Sequence, residues 1–291
     1  MKPGELWRRV AVAVLGIPAI LAALYFGGWV LGGMFALFAA VGAWEFYRMV
    51  EARGGRPYTA IGVPLAAAVV LLATATPRFD EVAGPILALL LFGGLILLGQ
   101  SVWRRWPEGH PLDDTASTLL GVLYTGGALA FVPLLRALPD TLGVATDPWR
   151  ASAFVLLPLL TTWAGDSAAY FVGNAIGRTR LAPHASPGKT VEGALAGLVG
   201  SVAAAALVAA WGPAQFGAAA LTIPMALAVG AVLGAGAQIG DLAESVLKRD
   251  AGVKDSGSLL PGHGGALDRL DSLLFAFPLA WLLLGVPGVL G

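Results

Sequence analysis

Long apolar runs separated by short polar segments extend over almost the whole chain. Crossing about 30 Å of hydrocarbon as an α-helix takes roughly 20 residues. About nine runs approach that length, at residues 10–27, 28–47, 59–76, 82–102, 116–137, 151–174, 191–211, 218–240 and 270–290. The pattern predicts an all-α, polytopic integral membrane protein. Pro158 and Pro224 fall inside predicted spans, where we expect them to kink the helices.

The composition supports a membrane protein and excludes several other classes. The 291 residues are 57% hydrophobic and 12% charged, with a mean hydropathy of +0.77, whereas soluble domains carry about 25% charged residues. The chain has no cysteine, so disulfide frameworks and thiolate chemistry are excluded. A net charge of zero argues against a nucleic-acid-binding surface.

Positive charge predicts the orientation of the spans, because cytoplasmic loops are enriched in Lys and Arg. With the N-terminus inside, 15 of the 18 Lys and Arg residues fall on cytoplasmic segments, and only Arg78, Arg136 and Arg150 lie outside. We therefore expect a plasma-membrane protein with a cytoplasmic N-terminus and an external C-terminus. The first apolar run is expected to stay as an anchor rather than to be cleaved as a signal peptide.

A polar stretch from Gly240 to Asp271 interrupts the last apolar runs and falls on the predicted cytoplasmic side. Its first half reads as a helix that carries Asp241, Glu244 and Lys248 on one face, at i, i+3 and i+7. Carboxylates at the end of a membrane helix are costly unless they are paired or hold a cation.

The second half of this stretch begins with a loop rich in Pro and Gly at residues 261–265. We expect the N–H groups around Gly264 and Gly265 to approach an anion closely. Asp268 and Asp271, at i and i+3, are predicted to open the next helix, where carboxylates suit the helix dipole. They are also hard oxygen ligands of the kind that magnesium prefers.

A second polar cluster lies near the end of the sixth apolar run. Asp166 is well inside this run, and Tyr170, Gly173 and Gly177 share its helical face. An intramembrane carboxylate predicts a functional site. The alternatives are that Asp166 caps a broken helix or pairs with a buried arginine.

Residues 186–193, SPGKTVEG, follow this cluster. We expect a turn at Pro187–Gly188, with Lys189 and Thr190 at the start of the next helix, which is a favourable place for a phosphate. The segment is not a P-loop, because His184 stands where that motif requires glycine.

These motifs resemble those of the phosphatidate cytidylyltransferases, or CDP-diacylglycerol synthases. The GDSxAYxxG segment at 165–173 and the SPxKTxEG segment at 186–193 are both similar to this family, although Gly188 replaces a frequent second lysine. The most specific match is Ser245-x-x-Lys248-Arg249-x4-Lys254-Asp255-x-Gly257-x2-Leu260-Pro261-x-His263-Gly264-Gly265-x-x-Asp268-Arg269-x-Asp271. We call this the signature.

The resemblance implies the reaction CTP + phosphatidate → CDP-diacylglycerol + pyrophosphate at the bilayer surface. It implies catalytic roles for Asp241, Lys248, Arg249, Asp268 and Asp271, of which the three aspartates would hold Mg²⁺ and leave room for a second cation. We expect Asp241 and Asp268 to share one ion. Substrate contacts are implied for Asp166, Ser186, Lys189, Thr190, Glu192, Lys254, His263, Gly264, Gly265 and Arg269.

The first half of the chain has little ionisable content inside its predicted spans, which predicts a division into two regions. Rival functions also stay open. Residues 1–110 are expected to form a transmembrane scaffold and residues 111–291 the catalytic region, in a chain that forms a homodimer and binds no nucleic acid. Glu45, at the end of a scaffold span, is interpreted as a partner of Arg48 at i+3. The alternatives are a CTP-dependent lipid-alcohol kinase and a cation-coupled transporter.

Overall fold

The computed structural model describes residues 3–107, 109–143, 147–210, 221–257 and 264–285. Helices dominate these residues, so the predicted all-α class is confirmed. The α-helices are α1 (Pro3–Phe26), α2 (Gly28–Ala52), α3 (Thr59–Ala75), α4 (Phe79–Arg104), α5 (Pro111–Gly121), α6 (Phe131–Thr141), α7 (Pro148–Ile176), α8 (Val191–Ala210), α9 (Ile223–Asp250) and α10 (Asp271–Gly285). The described residues also contain a two-stranded antiparallel sheet, a hairpin of β1 (Arg180–Ala182) and β2 (Ser186–Thr190), which the hydrophobic pattern did not predict.

Several helices have the length and composition of membrane spans. Five described helices, α2, α4, α7, α8 and α9, are long and apolar enough to cross a bilayer. A bent pair, Pro111–Gly127 with Phe131–Thr141, would raise the number to six. Three shorter apolar segments coincide with the remaining predicted spans. They are Gly16–Phe26 within α1, Thr59–Ala75 (α3) and Asp271–Gly285 (α10). The protein is therefore a multi-pass membrane protein.

The chain divides into two compact units. The first unit combines Met1–Leu134 with Lys248–Arg269, and the second combines Leu135–Leu247 with Leu270–Gly291. Most of the described signature residues thus belong to the same unit as the N-terminal helices, while Asp241 belongs to the second unit. The expected division at residue 110 concerns function rather than packing, and it stays a prediction.

In the first unit, α2 packs against α3 through a closely fitted interior. Tyr47 is fully buried, and its hydroxyl donates to the carbonyl of Thr118 at 2.8 Å. A Cβ on Gly62 would come within 2.2 Å of the Tyr47 hydroxyl oxygen. Glu45, one helical turn before Met49, is also fully buried. The interior therefore contains a carboxylate in addition to its apolar side chains.

In the second unit, α7 and α8 pack closely through small residues, as membrane helices commonly do. A Cβ on Gly165 would lie 2.3 Å from Ser201 Oγ, and a Cβ on Gly200 would lie 3.0 Å from the carbonyl oxygen of Ala164. Ser201 Oγ donates to the carbonyl of Thr161 at 2.9 Å.

The ends of these helices follow from local sequence. Asp147 caps α7, because its carboxylate accepts the N–H groups of Trp149 and Arg150 at 2.9 and 3.1 Å. The expected kink at Pro224 is wrong: Pro224 is the second residue of α9, where proline is well tolerated because the N–H it lacks has no intrahelical partner there.

Candidate active site

The hairpin and the start of α8 are held together by side-chain caps. Thr190 Oγ1 accepts the N–H of Gly193 at 3.1 Å, as an N-cap threonine does. Glu192 accepts the N–H groups of Arg178 and Thr179 at 3.1 and 3.2 Å, and so ties the base of the hairpin to the helix. The predicted turn at residues 187–188 is wrong, because both residues belong to β2.

This arrangement forms one wall of a cavity of about 260 Å³ in the second unit. Asp166, Tyr170 and Gly173 of α7 line it, which confirms that these three share a face. Lys189 comes from β2 and Asp241 from α9. The polar residues that the sequence suggested at three separate places, in α7, in the hairpin and in α9, therefore meet around one space.

Lys189 and Asp241 form an ion pair within this cavity. The distance from Lys189 Nζ to Asp241 Oδ2 is 2.5 Å, and the two side chains are 28% and 31% exposed. A pair with this exposure is only partly desolvated, so an anionic ligand can compete for the lysine and a cation for the carboxylate. We call it the cavity pair.

Asp166 belongs to an unbroken α7 that runs on to Ile176, so the alternative that it caps a broken helix is wrong. Gly173 lets α7 approach Thr190 closely, because a Cβ on Gly173 would lie 3.1 Å from Thr190 Oγ1. Two carboxylates, those of Asp166 and Asp241, thus line the same cavity as one lysine.

A second lysine–aspartate pair lies in the first unit. Lys248 Nζ is 2.6 Å from Asp268 Oδ1, with side chains 12% and 10% exposed. Asp268 Oδ2 accepts three further hydrogen bonds, from Ser256 N at 3.0 Å, Ser256 Oγ at 3.0 Å and Gly265 N at 2.9 Å. These donors belong to the loop that connects α9 and α10, of which residues 251–257 and 264–270 are described. We call this loop the signature loop and the pair the loop pair.

These contacts set the protonation of Asp268. Burial raises the pKa of its carboxyl, but the hydrogen bond and charge of Lys248, with the N–H groups of Gly265 and Ser256, outweigh burial and leave the pKa below its usual range. Asp268 lies in a short 3₁₀ turn, Leu267–Arg269, and Asp271 is the first residue of α10. The prediction that both open a helix holds for Asp271 only.

The glycine-containing loop does bind an anion, but the anion is part of the protein. Gly265 N donates to Asp268, while Ala266 N and Leu267 N donate to Glu45 at 3.0 and 2.7 Å. The predicted contact between these N–H groups and a phosphate stays a prediction. Gly264 has a φ of +80°, a conformation that glycine adopts without strain.

Glu45 does not pair with Arg48, as the sequence interpretation held. Arg48 Nη1 lies 3.1 Å from Glu51 Oε2 instead, at the exposed end of α2. Glu45 reaches residues of the signature that are more than 200 positions away. The signal that could have revealed it is its position as an acid near the end of an apolar span.

The other predicted site residues take varied positions. Arg249 donates to the carbonyl of Val253 at 3.0 Å, and Lys254 is exposed. Arg269 ends the 3₁₀ turn, and His263 lies outside the described residues. Where the chain is described, no three Asp, Glu or His side chains come close enough together to hold a metal ion.

Two cavity residues were missed by the sequence analysis, Asn174 of α7 and Gln238 of α9. The Gln238 side-chain amide donates to the carbonyl of Ala194 at 3.0 Å, which links α9 to α8 beside the cavity. Neutral amides in apolar helices carry no charge signal, and only their positions four residues after Tyr170 and three before Asp241 would have drawn attention to them.

Comparison with known proteins finds similarity along almost the whole chain. Residues 7–286 match the Cytidylyltransferase family. A protein of Synechocystis sp. named phosphatidate cytidylyltransferase is 36% identical over 292 residues, 94% of each chain. One of the same name from Pseudomonas aeruginosa is 36% identical over 97% of each chain, and one from Bacillus subtilis is 36% identical over 68% of each.

Proposed function

Because the chain belongs to the cytidylyltransferase family, we propose that it is a phosphatidate cytidylyltransferase that makes CDP-diacylglycerol and pyrophosphate from CTP and phosphatidate. The observation that carries the proposal is the cavity pair. The β2 residue Lys189 and two carboxylates, Asp166 and Asp241, line one cavity of a membrane protein. Such a cavity could bind a polyphosphate, directly through the lysine and through a cation held by the carboxylates, in a protein embedded in the bilayer.

The chemistry explains why such a site is needed. An anionic phosphate of phosphatidate attacks the α-phosphorus of CTP, a P–O bond forms, and the bond to pyrophosphate breaks. The main obstacle is repulsion between like charges, so the protein must supply cations and positioned donors. Lys189, released from Asp241, would neutralise a phosphate group, and Thr190 holds the helix start beside it. Phosphatidate brings its own nucleophile, so no covalent enzyme intermediate is needed.

The residues of the cavity fit a magnesium ion. Mg²⁺ is commonly held by one or two carboxylates together with substrate phosphates and water, and Asp166 and Asp241 supply two carboxylates. Bound there, Mg²⁺ would offset the negative charge of the triphosphate. Asp268 fits less well, because both of its oxygens already accept hydrogen bonds. A shared ion between Asp241 and Asp268, a role for Asp271 and a second cation stay predictions.

We infer nine spans, with the N-terminus and the active site on the cytoplasmic side of the plasma membrane. The bent pair and the three shorter apolar helices must then cross along with the five longer ones. The division of Lys and Arg between predicted sides supports this orientation. A reporter fused after Gly291 is expected outside, and one inserted at residues 251–255 inside. A cytoplasmic C-terminal reporter would require an even number of spans.

One experiment tests the reaction. Purified protein in detergent receives phosphatidate, Mg²⁺ and each nucleoside triphosphate in turn, and pyrophosphate and the lipid product are measured. CTP is expected to yield pyrophosphate and CDP-diacylglycerol in equal amounts. In a parallel reaction with diacylglycerol in place of phosphatidate, release of CDP with formation of phosphatidate would indicate a lipid-alcohol kinase. Absence of any product from phosphatidate would refute the proposal. Light scattering on the same sample tests the expected homodimer.

A further inference from the structure

Glu45 is a fully buried carboxylate whose partners belong to the signature loop. Its Oε1 accepts the N–H of Ala266 at 3.0 Å, and its Oε2 accepts the N–H of Leu267 at 2.7 Å and the hydroxyl of Ser256 at 3.2 Å. Glu45 lies in α2, and 211 positions separate it from Ser256. One side chain of an N-terminal helix therefore holds the two described parts of the loop, residues 251–257 and 264–270.

The loop is shaped to receive this carboxylate. A Cβ on Gly257 would lie 2.4 Å from Glu45 Oε1, and a Cβ on Gly265 would lie 2.6 and 2.8 Å from its two oxygens. Real Cβ atoms do not approach oxygen so closely, so glycine is needed at both positions. These signature glycines make room for Glu45 as well as for a turn.

Ser256 links Glu45 to the loop pair. Its Oγ lies 3.2 Å from Glu45 Oε2 and 3.0 Å from Asp268 Oδ2. The consecutive N–H groups of residues 265–267 are divided between the same two carboxylates, with the first donated to Asp268 and the next two to Glu45. The loop cannot move relative to Glu45 without disturbing the donors that orient Asp268.

We propose that Glu45 is a positioning residue for the nucleotidyl transfer, which holds the signature loop so that Asp268 and Lys248 keep one orientation. The inference rests on the proposed function, because the loop pair is placed among the reacting groups only by that function. Glu45 itself touches no substrate in this account. It acts through Ser256 and the backbone N–H groups of the loop.

The decisive variant is Glu45→Gln, which keeps the size of the side chain. One oxygen becomes an NH₂ group that faces an N–H donor, so at least one hydrogen bond to the loop is lost. Mutation of a residue that orients active-site groups through hydrogen bonds commonly lowers activity by about 10- to 100-fold. We expect kcat to fall by that factor while KM for CTP stays within about threefold, because the cavity in the second unit keeps its residues. Glu51→Gln, on the exposed end of the same helix, is the matched control.

Backbone amide exchange provides a readout that does not depend on the reaction. In Glu45→Gln, a peptide covering residues 264–270 is expected to exchange about tenfold or more faster, since the N–H group of either Ala266 or Leu267 loses its acceptor. Peptides from α3 and α4 are expected to be unchanged. Equal acceleration across all three elements would mean general destabilisation and would overturn the positioning role.

Ser256→Ala keeps the test valid if Glu45→Gln fails to fold. It removes the hydroxyl that contacts both carboxylates and leaves every backbone donor in place. We expect kcat to fall by about tenfold, the value of one hydrogen bond to a charged group, with a melting temperature lowered by only about 3–6 °C. A kcat within twofold of the natural protein in either folded variant would refute the inference. A natural protein that makes no CDP-diacylglycerol would refute the proposed function instead, while amide exchange would still report the hold of Glu45 on the loop.

Discussion

The cavity pair and the loop pair have the same chemistry in different surroundings. Lys189 and Asp241 are each about 30% exposed and line an open cavity. Lys248 and Asp268 are close to 10% exposed, and Asp268 accepts three further hydrogen bonds from the loop. The first pair can exchange its partners for a ligand, whereas the second is already saturated by its own unit.

This difference in exposure separates two roles, although the family resemblance implied one role, magnesium binding, for both Asp241 and Asp268. A carboxylate that is to meet a metal or a polyphosphate needs accessible oxygen atoms, and Asp241 has them. A carboxylate that is to organise a loop needs many fixed donors, and Asp268 has those. We therefore expect loss of Asp241 to lower turnover and loss of Asp268 to lower stability as well.

The largest effect is expected from Asp241→Asn. Removal of the charge takes away one of the two carboxylates proposed to hold a cation, and loss of an electrostatic group at a reacting centre commonly costs about 10²–10³-fold in kcat. Stability is expected to change by less than about 1 kcal/mol, because the ion pair is partly exposed. Turnover and thermal melting in detergent measure the two effects.

The control for this prediction is Asp250→Asn, nine positions later on α9. Asp250 pairs with Arg53, and both side chains are more than half exposed. Its turnover and melting temperature are expected to match those of the natural protein. Near-normal turnover in Asp241→Asn would show that Asp241 is not an active-site residue and that the cavity pair has no role in catalysis.

Asp268→Asn is expected to lower stability. The asparagine would present an NH₂ group to a lysine and several N–H donors, and breaking a buried pair costs roughly 3 kcal/mol or more. For a protein of this size that is about 6–12 °C in melting temperature. Glu51→Gln, which removes a largely exposed pair with Arg48, is expected to change little. An unchanged melting temperature in Asp268→Asn would show that the loop pair is as replaceable as the cavity pair.

Much of the helical architecture could be predicted, because an apolar run of about 20 residues is itself the physical requirement for a span. The shared face of Asp166 and Tyr170 followed from helical periodicity alone. The hairpin of residues 180–190 could not be predicted in the same way. It is short and polar, and it depends on Glu192 capping its base.

The position of Glu45 near the end of an apolar span marks it as unusual, but its partners could not be predicted from the sequence. Local spacing offered Arg48 as its partner, and a contact across 211 positions leaves no periodic trace. The glycines of the loop predicted that an anion approaches the backbone, which is true, but the pattern does not distinguish an internal carboxylate from a phosphate. Only packing shows that Glu45 is the group that Ala266 and Leu267 bind.

Gly193→Ala tests how tightly α7 and α8 pack at the wall of the cavity. A Cβ there would lie 2.9 Å from the carbonyl oxygen of Ala169 and 3.2 Å from Gly173 Cα, so α7 and α8 must move apart. Forcing extra atoms into packed helices costs about 1–3 kcal/mol. Gly188→Ala lines the same cavity with nothing within 4 Å of its Cβ and is the control. Equal melting temperatures in the two variants would show that α7 and α8 accommodate the added methyl group without loss of stability.

The smallest effect is expected from acid, and it reports on the loop pair alone. Because the pKa of Asp268 is lower in the folded protein than the unfolded value of about 3.9, its contribution to stability is complete well above that value. It is lost as the pH falls through the folded pKa. The difference in melting temperature between the natural protein and Asp268→Asn should therefore be constant from about pH 7 to 5 and shrink below about pH 4. Taking the difference removes titrations that the two proteins share. A difference that instead grows as the pH falls would mean that burial outweighs the donors of Lys248, Ser256 and Gly265, and that the loop pair is not saturated.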